Sequence, residues 1–208
     1  ESTLMYEYLN TSGDYFTFQI TGATAEGSIN EWWKSDGTLS GTENLNETFP
    51  VLSDPFNRLE LLIDGDVFYS RYENGVKEFW RTDGSTEGTQ KIFDAINGES
   101  VSSANFLPMD SHFIFYGITL GNDYETIYVA SFNLGTEEVE VLSVSNSHST
   151  FYCQAGDKLF MTMKDVTHGR ELWVTDGTAS GTYMVRDIAV GDEDVLIGGS
   201  GQCIGNDF

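Results

Sequence analysis

The stretch "ELWVTDGTASGT", residues 171–182, packs a Trp, an Asp-Gly pair and a later Gly-Thr into twelve positions. Such a segment reads as a catalytic loop, as a metal site, or as one copy of a repeat. The rest of the chain decides between these. Glu31-Trp32-Trp33-Lys34-Ser35-Asp36-Gly37-Thr38 followed by Gly41-Thr42 matches it without a gap, as does Glu78-Phe79-Trp80-Arg81-Thr82-Asp83-Gly84-Ser85 followed by Gly88-Thr89. A worn fourth copy starts at Glu125-Thr126-Ile127-Tyr128 and keeps Gly135-Thr136 at the same offset, with Ala130 and Ser131 in place of Asp-Gly. The four glutamates are 47, 47 and 46 residues apart, a period that marks repeat architecture.

An alternating aromatic run precedes each copy: Tyr15-Phe16-Thr17-Phe18, Val67-Phe68-Tyr69, Phe113-Ile114-Phe115-Tyr116 and Leu159-Phe160-Met161. One short apolar segment lies further upstream and another follows each Gly-Thr. Period-two alternation bounded by turn residues predicts strands, and no stretch sustains a helical period. Four strands per repeat of 40–50 residues are the pattern of a propeller blade. The expected fold is therefore all-β: a β-propeller of four four-stranded blades, closed as a ring or forming part of a larger one. It is read as a single domain over 1–208, with blades at about 1–50, 51–97, 98–145 and 146–192. Residues 193–208 start a fifth repeat or form a C-terminal clasp. Cys203 stands in "CIGNDF" where Cys153 stands in "CQAGDKLF", one period earlier.

Within a blade the motif has structural work. Trp33, Trp80 and Trp173 are expected to wedge against a neighbouring sheet, with Ile127 in that place in the worn copy. Asp36, Asp83 and Asp176 cap the turn, while Gly37, Gly84 and Gly177 accept positive φ. The recurring Glu31, Glu78, Glu125 and Glu171 point to a shared structural bond. Local function is expected where the repeats differ: the worn third blade, the cysteine pair and the tail.

The repeat in His168–Ile188 closely resembles the ELWxxDGTxxGT repeat of large secreted and cell-surface proteins, mostly bacterial. The copies at 31 and 78 agree at the Glu, Trp, Asp-Gly and Gly-Thr positions, so the resemblance spans nearly the whole chain. It implies a kelch-like β-propeller in an extracellular setting and carries over no enzymatic activity.

Composition narrows the function classes. The 208 residues hold 33 Asp and Glu against 10 Lys and Arg, a net charge of −23, which disfavours nucleic acid and favours cations. Fourteen Phe, ten Tyr and four Trp supply enough buried area for a packed core despite that charge. No apolar run is long enough to insert in a membrane. Because the chain begins at Glu1 without Met, it reads as a processed or excerpted piece of a precursor. Cys153 and Cys203 enclose a 50-residue interval, and a bridge there would stabilise by about 3–4 kcal/mol. Asn10 and Asn46 head glycosylation sequons, relevant in a eukaryotic host.

Catalytic constellations are sparse. His112 falls on a strand, His148 in a Ser-rich loop and His168 before the motif, none with metal-ligand spacing, and there is no Gly-x-Ser-x-Gly elbow. Asp64-Gly65-Asp66, with Asp192 and Asp194 in "GDEDV", resemble fragments of calcium loops without completing one, which makes Ca²⁺ the candidate cofactor. Tyr6, Tyr8, Tyr69, Tyr72, Phe115 and Tyr116 suit a sugar-binding face, although their alternation favours core packing. The expectation is a non-catalytic extracellular structural or adhesive module, its partners other extracellular chains or further copies of itself. A glycan-binding lectin-like module and a secreted glycoside hydrolase using two converging carboxylates are the alternatives.

Overall fold

The computed structural model describes residues 4–12, 15–24, 27–96, 98–109, 111–120, 125–145, 150–165 and 167–195. These form four antiparallel meanders, each strand hydrogen-bonded to its neighbour in sequence. The first sheet holds β1 (Leu4–Ser12), β2 (Tyr15–Thr24), β3 (Gly27–Ser35) and β4 (Glu43–Asn44). The second holds β5 (Arg58–Ile63), β6 (Asp66–Glu73), β7 (Val76–Thr82) and β8 (Gln90–Phe93). In the third are β9 (Ala95–Ile96), β10 (Glu99–Pro108), β11 (His112–Leu120), β12 (Glu125–Asn133) and β13 (Val139–Ser145). The fourth contains β14 (Thr150–Ala155), β15 (Lys158–Lys164), β16 (Arg170–Thr175) and β17 (Tyr183–Arg186). The chain divides into two compact units, Glu1–Asp94 with the first two sheets and Ala95–Phe208 with the last two.

Two departures from the expected units are local. β9 falls inside the second repeat by sequence yet pairs with β10 of the third sheet. After β4 the chain makes a single helical turn, α1 (Leu45–Thr48), capped by the Asn44 side chain, and a 3-10 turn over Pro50–Ser53. Both are too short to leave a helical period in the sequence.

Turn chemistry sets the hairpins. Asp64 and Gly65 join β5 to β6 with φ of 51° and 90°, and Asn74 and Gly75 join β6 to β7 with 52° and 82°. Two consecutive positive φ values define the tight turn whose twist matches the flanking strands, and Asp-Gly and Asn-Gly are the pairs that tolerate it. A bulge recurs in the first long strand of all four sheets, between Glu7 and Leu9, Leu59 and Leu61, Val101 and Ser103, and Phe151 and Cys153. One extra residue there bends the strand and re-aims its side chain.

Each unit has its own core between its two sheets. In the first, Trp32 of β3 and Leu45, Phe49 and Leu52 of the helical turns pack on Leu59, Leu62, Val67 and Tyr69 of the second sheet. In the second, Ile114, Val129 and Leu142 of the third sheet face Leu159, Met161 and Met163 of the fourth. Trp80 and Trp173 lie against these clusters, but in the first copy it is Trp32, not the aligned Trp33, that fills the core. Of the aromatics considered for a sugar face, Tyr69 and Phe115 are buried and Tyr72 is exposed, while the side chains of Tyr6 and Tyr8 lie outside the described residues.

The third sheet also buries an aromatic stack, with Phe113 4.9 Å from Phe132 and near both Phe106 and Phe115. Phe113 is 1 % exposed. Phe113→Ala is expected to cost about 3–5 kcal/mol of stability, read as the shift in urea midpoint at unchanged slope.

Candidate functional site

The motif's polar groups close on themselves in the same way three times. The Oδ1 of Asp36, Asp83 and Asp176 accepts the backbone N–H of Thr38, Ser85 and Thr178 at 2.8, 2.8 and 2.9 Å. It also accepts the hydroxyl of that same residue at 2.7 Å in every copy. The hydroxyl in turn accepts the N–H of Gly41, Gly88 or Gly181 at 3.0, 2.9 and 3.0 Å. A second chain runs beside the first. Gly37 N–H donates to Ser35 Oγ at 3.1 Å, which meets Thr42 Oγ1 at 2.7 Å, and Thr42 donates to the Thr38 carbonyl at 2.6 Å. Thr82 with Thr89 and Thr175 with Thr182 repeat it.

Every position of the motif thereby has a physical reason. Gly37, Gly84 and Gly177 hold φ of 89°, 94° and 92°, where a Cβ is strained. At Gly41, Gly88 and Gly181 a Cβ would collide with the carboxylate of the capping aspartate. Hydrogen bonds from Thr38, Ser85 and Thr178 hold these three carboxyls below the usual aspartate value. The glutamates diverge. Glu31 and Glu78 accept the indole N–H of Trp33 and Trp80 at 3.0 Å, whereas buried Glu171 accepts the N–H of Ile188 at 3.1 Å and of Ala189 at 2.9 Å. Trp173 Nε1 is left without a partner among the described residues.

The worn copy does not weaken its turn in place; it moves it. β12 runs straight through Ala130 and Ser131, and Asn133 caps the displaced turn, its Oδ1 accepting Gly135 N–H at 2.8 Å and Thr136 N–H at 2.9 Å. With Oδ1 held by two backbone donors, the Asn133 amide must present Nδ2 to His112 Nε2, 3.0 Å away. An amide nitrogen only donates, so His112 Nε2 is the acceptor of this bond, while Nδ1 lies 2.8 Å from Ser111 Oγ. Gly177 of the fourth sheet's turn lies close to the imidazole, where a Cβ would sit 3.1 Å from Cγ.

This displacement opens a depression of 640 Å³ at the end of the third and fourth sheets. His112, Ser131, Asn133, Glu138, Glu140 and Thr178 line it, with Thr136 and Val139, and no Lys or Arg does. Register explains the grouping. Ser131 pairs with Glu140 across the strands and His112 with Asn133, while Ser131 shares its face of β12 with Val129 of the core cluster. The depression is the polar mouth of the apolar seam between the two sheets. Of its residues the sequence weighed only His112 for chemistry, while Ser131 marked the break in the repeat that pointed to the third blade.

Of the four acids considered for calcium, Asp66 and Asp194 have cationic partners. Asp64 sits in the β5–β6 hairpin turn, and Asp66 binds the Arg81 guanidinium through Nε at 2.6 Å and Nη2 at 2.5 Å. Asp194 accepts Arg170 N–H at 2.8 Å and Lys164 Nζ at 3.3 Å, fastening the segment after Gly191 against the start of β16. Asp192 is exposed on that segment. Among the described residues no three His, Cys, Asp or Glu side chains group as a metal site. Asn46 is half-buried, its Oδ1 accepting Trp32 N–H at 2.7 Å and its Nδ2 donating to the Asn30 carbonyl at 3.2 Å, bonds that a glycan on Nδ2 would disturb. Cys203, His148 and the side chains of Asn10 and Cys153 lie outside the described residues.

Two ionisable clusters were not legible as such. Glu60, at the bulge of β5, is buried with Ser70 Oγ at 2.6 Å and Lys77 Nζ at 3.6 Å. Burial raises its carboxyl, and the Lys77 charge opposes that. His168 Nδ1 lies 2.9 Å from Asp165. Burial works against ionisation of Asp165, but the hydrogen bond from His168 and those from Thr167 outweigh it and bring the carboxyl to about 2. The same pairing raises His168.

No family model and no curated protein matches the chain. Solved structures do. The uncomplexed acylaminoacyl peptidase of Pyrococcus horikoshii aligns with a TM-score of 0.52 at 12% identity, over 88% of this chain and 32% of that one. Its orthorhombic crystal form gives 0.51 at 14%, over 89% and 32%. The β-propeller domain of the Trilobed protease from Pyrococcus furiosus, described as an open velcro topology, gives 0.50 at 16%, over 82% and 54%. This chain thus spans about a third of the length of the peptidases it resembles. At these identities the likeness is one of fold: all-β and propeller-like.

Gly181→Ala is expected to break the carboxylate chain of the fourth sheet and lower the melting temperature by several degrees, about 1–3 kcal/mol, with Gly135→Ala in the displaced turn as the milder control. The Asp165–His168 pair carries an opposite sign at each end of the pH scale. Asp165, lowered, stabilises above its unfolded value near 3.8 and loses this toward 2. His168, raised, stabilises below 6.5 and loses this as pH climbs through its folded value. His168→Gln is therefore expected to flatten the fall in melting temperature on the alkaline side of pH 6.5, measured by thermal scans at closely spaced pH.

Proposed function

We propose that this chain is part of an ELWxxDGTxxGT-repeat β-propeller that acts outside the cell as a non-catalytic interaction module, contacting its partner through the mouth between the third and fourth sheets. The role is the same for a closed four-bladed ring and for a segment of a larger propeller. The observation that carries this reading is the closed hydrogen-bond circuit of Asp36, Asp83 and Asp176. A carboxylate whose acceptor oxygen serves its own turn in three copies is a folding element, which removes the repeated acids from the pool of catalytic groups. Variation, and with it recognition, is left to the third repeat, where the displaced turn exposes side chains that the other copies do not have.

The net charge of −23 supports an extracellular, partner-seeking surface, because it keeps the module soluble and draws basic partners. The hydroxyls of Ser131 and Thr136 at the mouth favour a second reading, the glycan-binding module.

Cross-linking of the purified protein to the secreted fraction of its source, with carboxylate-directed reagents and mass spectrometry, tests the proposal. Cross-links concentrated at 136–140 to one protein are expected. Cross-links scattered over the acidic surface, or turnover of a glycan library by the purified chain, would overturn it, and saturable hits on a glycan array would transfer the site to the second reading.

A further inference from the structure

The free polar groups at the mouth between the third and fourth sheets share one character. Ser131 is 1 % exposed and lines the depression, and its hydroxyl makes no hydrogen bond to another described side chain or backbone group. Glu138 and Glu140 line it with carboxylates that pair with nothing among the described residues. Glu140 is the second residue of β13 and Glu138 directly precedes that strand, its carbonyl accepting Asn133 N–H at 3.0 Å, which sets their Cα atoms about 7 Å apart. Ser131 lies directly across from Glu140.

The other polar groups are occupied. His112 Nε2 accepts from Asn133, and Asn133 Oδ1 serves Gly135 and Thr136. Thr178 Oγ1 donates to Asp176 and accepts from Gly181. The site is thus rich in unused acceptors, and apart from hydroxyls its one unused side-chain donor is the second Nδ2 proton of Asn133. An anionic ligand finds no donor set there, while a ligand with many donors and no acceptor satisfies all three groups at once.

We propose that this mouth is a docking pocket for an arginine side chain of a partner protein. Guanidinium carries five N–H donors in a plane and no acceptor, and its breadth suits two carboxylates borne two residues apart better than a compact ammonium does. One edge meets Glu138, the other Glu140, and the Ser131 hydroxyl at the floor accepts a remaining N–H. The depression's 640 Å³ admits the side chain together with its neighbours in a peptide. Absence of Lys and Arg from the lining leaves the two negative charges uncompensated until the partner supplies one.

The proposal rests on the interaction-module reading and is tested apart from it. Acetyl-Gly-Arg-Gly-amide is titrated into the ¹⁵N-labelled chain, beside the same peptide with lysine or with citrulline, which keeps the shape of arginine without its charge. The arginine peptide is expected to shift the amides of Ser131 and Glu138 through Glu140 saturably, with citrulline binding at least about tenfold more weakly. Glu138→Gln with Glu140→Gln is expected to weaken arginine binding by about tenfold or more at unchanged melting temperature. Ser131→Ala, which leaves both charges, is expected to weaken it by a smaller factor. Equal binding of citrulline, stronger binding of lysine, or shifts spread over acidic turns elsewhere would overturn the pocket. Failure of the peptides while cross-links still map to 136–140 removes arginine as the ligand and leaves the interaction reading standing. Peptide binding without such cross-links upholds the pocket and removes that reading.

Discussion

Each intact repeat depends on one carboxylate oxygen that accepts two hydrogen bonds from a single residue, the N–H and the hydroxyl of the Thr or Ser two positions on. This bond fixes the direction in which the chain leaves the third strand of a blade. It also dictates the remaining letters of the motif. The first glycine must reach positive φ, the second must leave room for the carboxylate, and the final threonine must bridge back to the hydroxyl before the aspartate. The turns at Asp36 and Asp83 are exposed, so the fit of the hydrogen-bonded groups to one another, rather than burial, is what leaves the motif little freedom to vary.

Where that bond is missing, the structure does something new with the same strand. Without the aspartate at position 130, β12 continues and pairs with β13 as far as Phe132 and Val139. The turn then forms around Asn133, which caps two backbone donors and contacts His112 Nε2 through one amide N–H. His112 in turn lies close to Gly177 of the neighbouring sheet. In the first unit the corresponding glycine, Gly84, meets the Thr48 carbonyl and the Phe49 ring instead. Two like turns thus rest on unlike supports, a backbone carbonyl and a phenyl ring in the first unit and an imidazole that borders a depression in the second.

Parts of both the fold and the candidate site were legible from residue order alone. The four copies at a pitch of 46–47 residues carried the strand count of three of the four sheets, because turn residues and alternation are local properties, while the third sheet gains β9 as a fifth strand. The break at Ala130 and Ser131 pointed to the third repeat as the place to look. Three things were not legible. Trp32 rather than Trp33 faces the core, since adjacent residues on a strand face opposite ways and register settles which is inside. Glu60 and Lys77 meet across the second sheet although seventeen positions separate them, and the bulge that places Glu60 leaves no local mark. Asp66 and Asp194 looked like ligands because their cationic partners, Arg81 and Lys164, are distant in sequence.

The sequence by itself determined the repeat, its period and the chemistry of its turns, because hydrogen bonds spanning two to seven residues are encoded where they form. Only the tertiary structure decided what those repeats enclose. Ser131, Asn133, Glu138 and Glu140 become neighbours through the register of β12 against β13, and Thr178 joins them only because two sheets pack through Ile114, Val129, Leu159 and Met161. Side chains brought together by packing share no spacing rule, and a binding surface made of them is visible only once the sheets are in place.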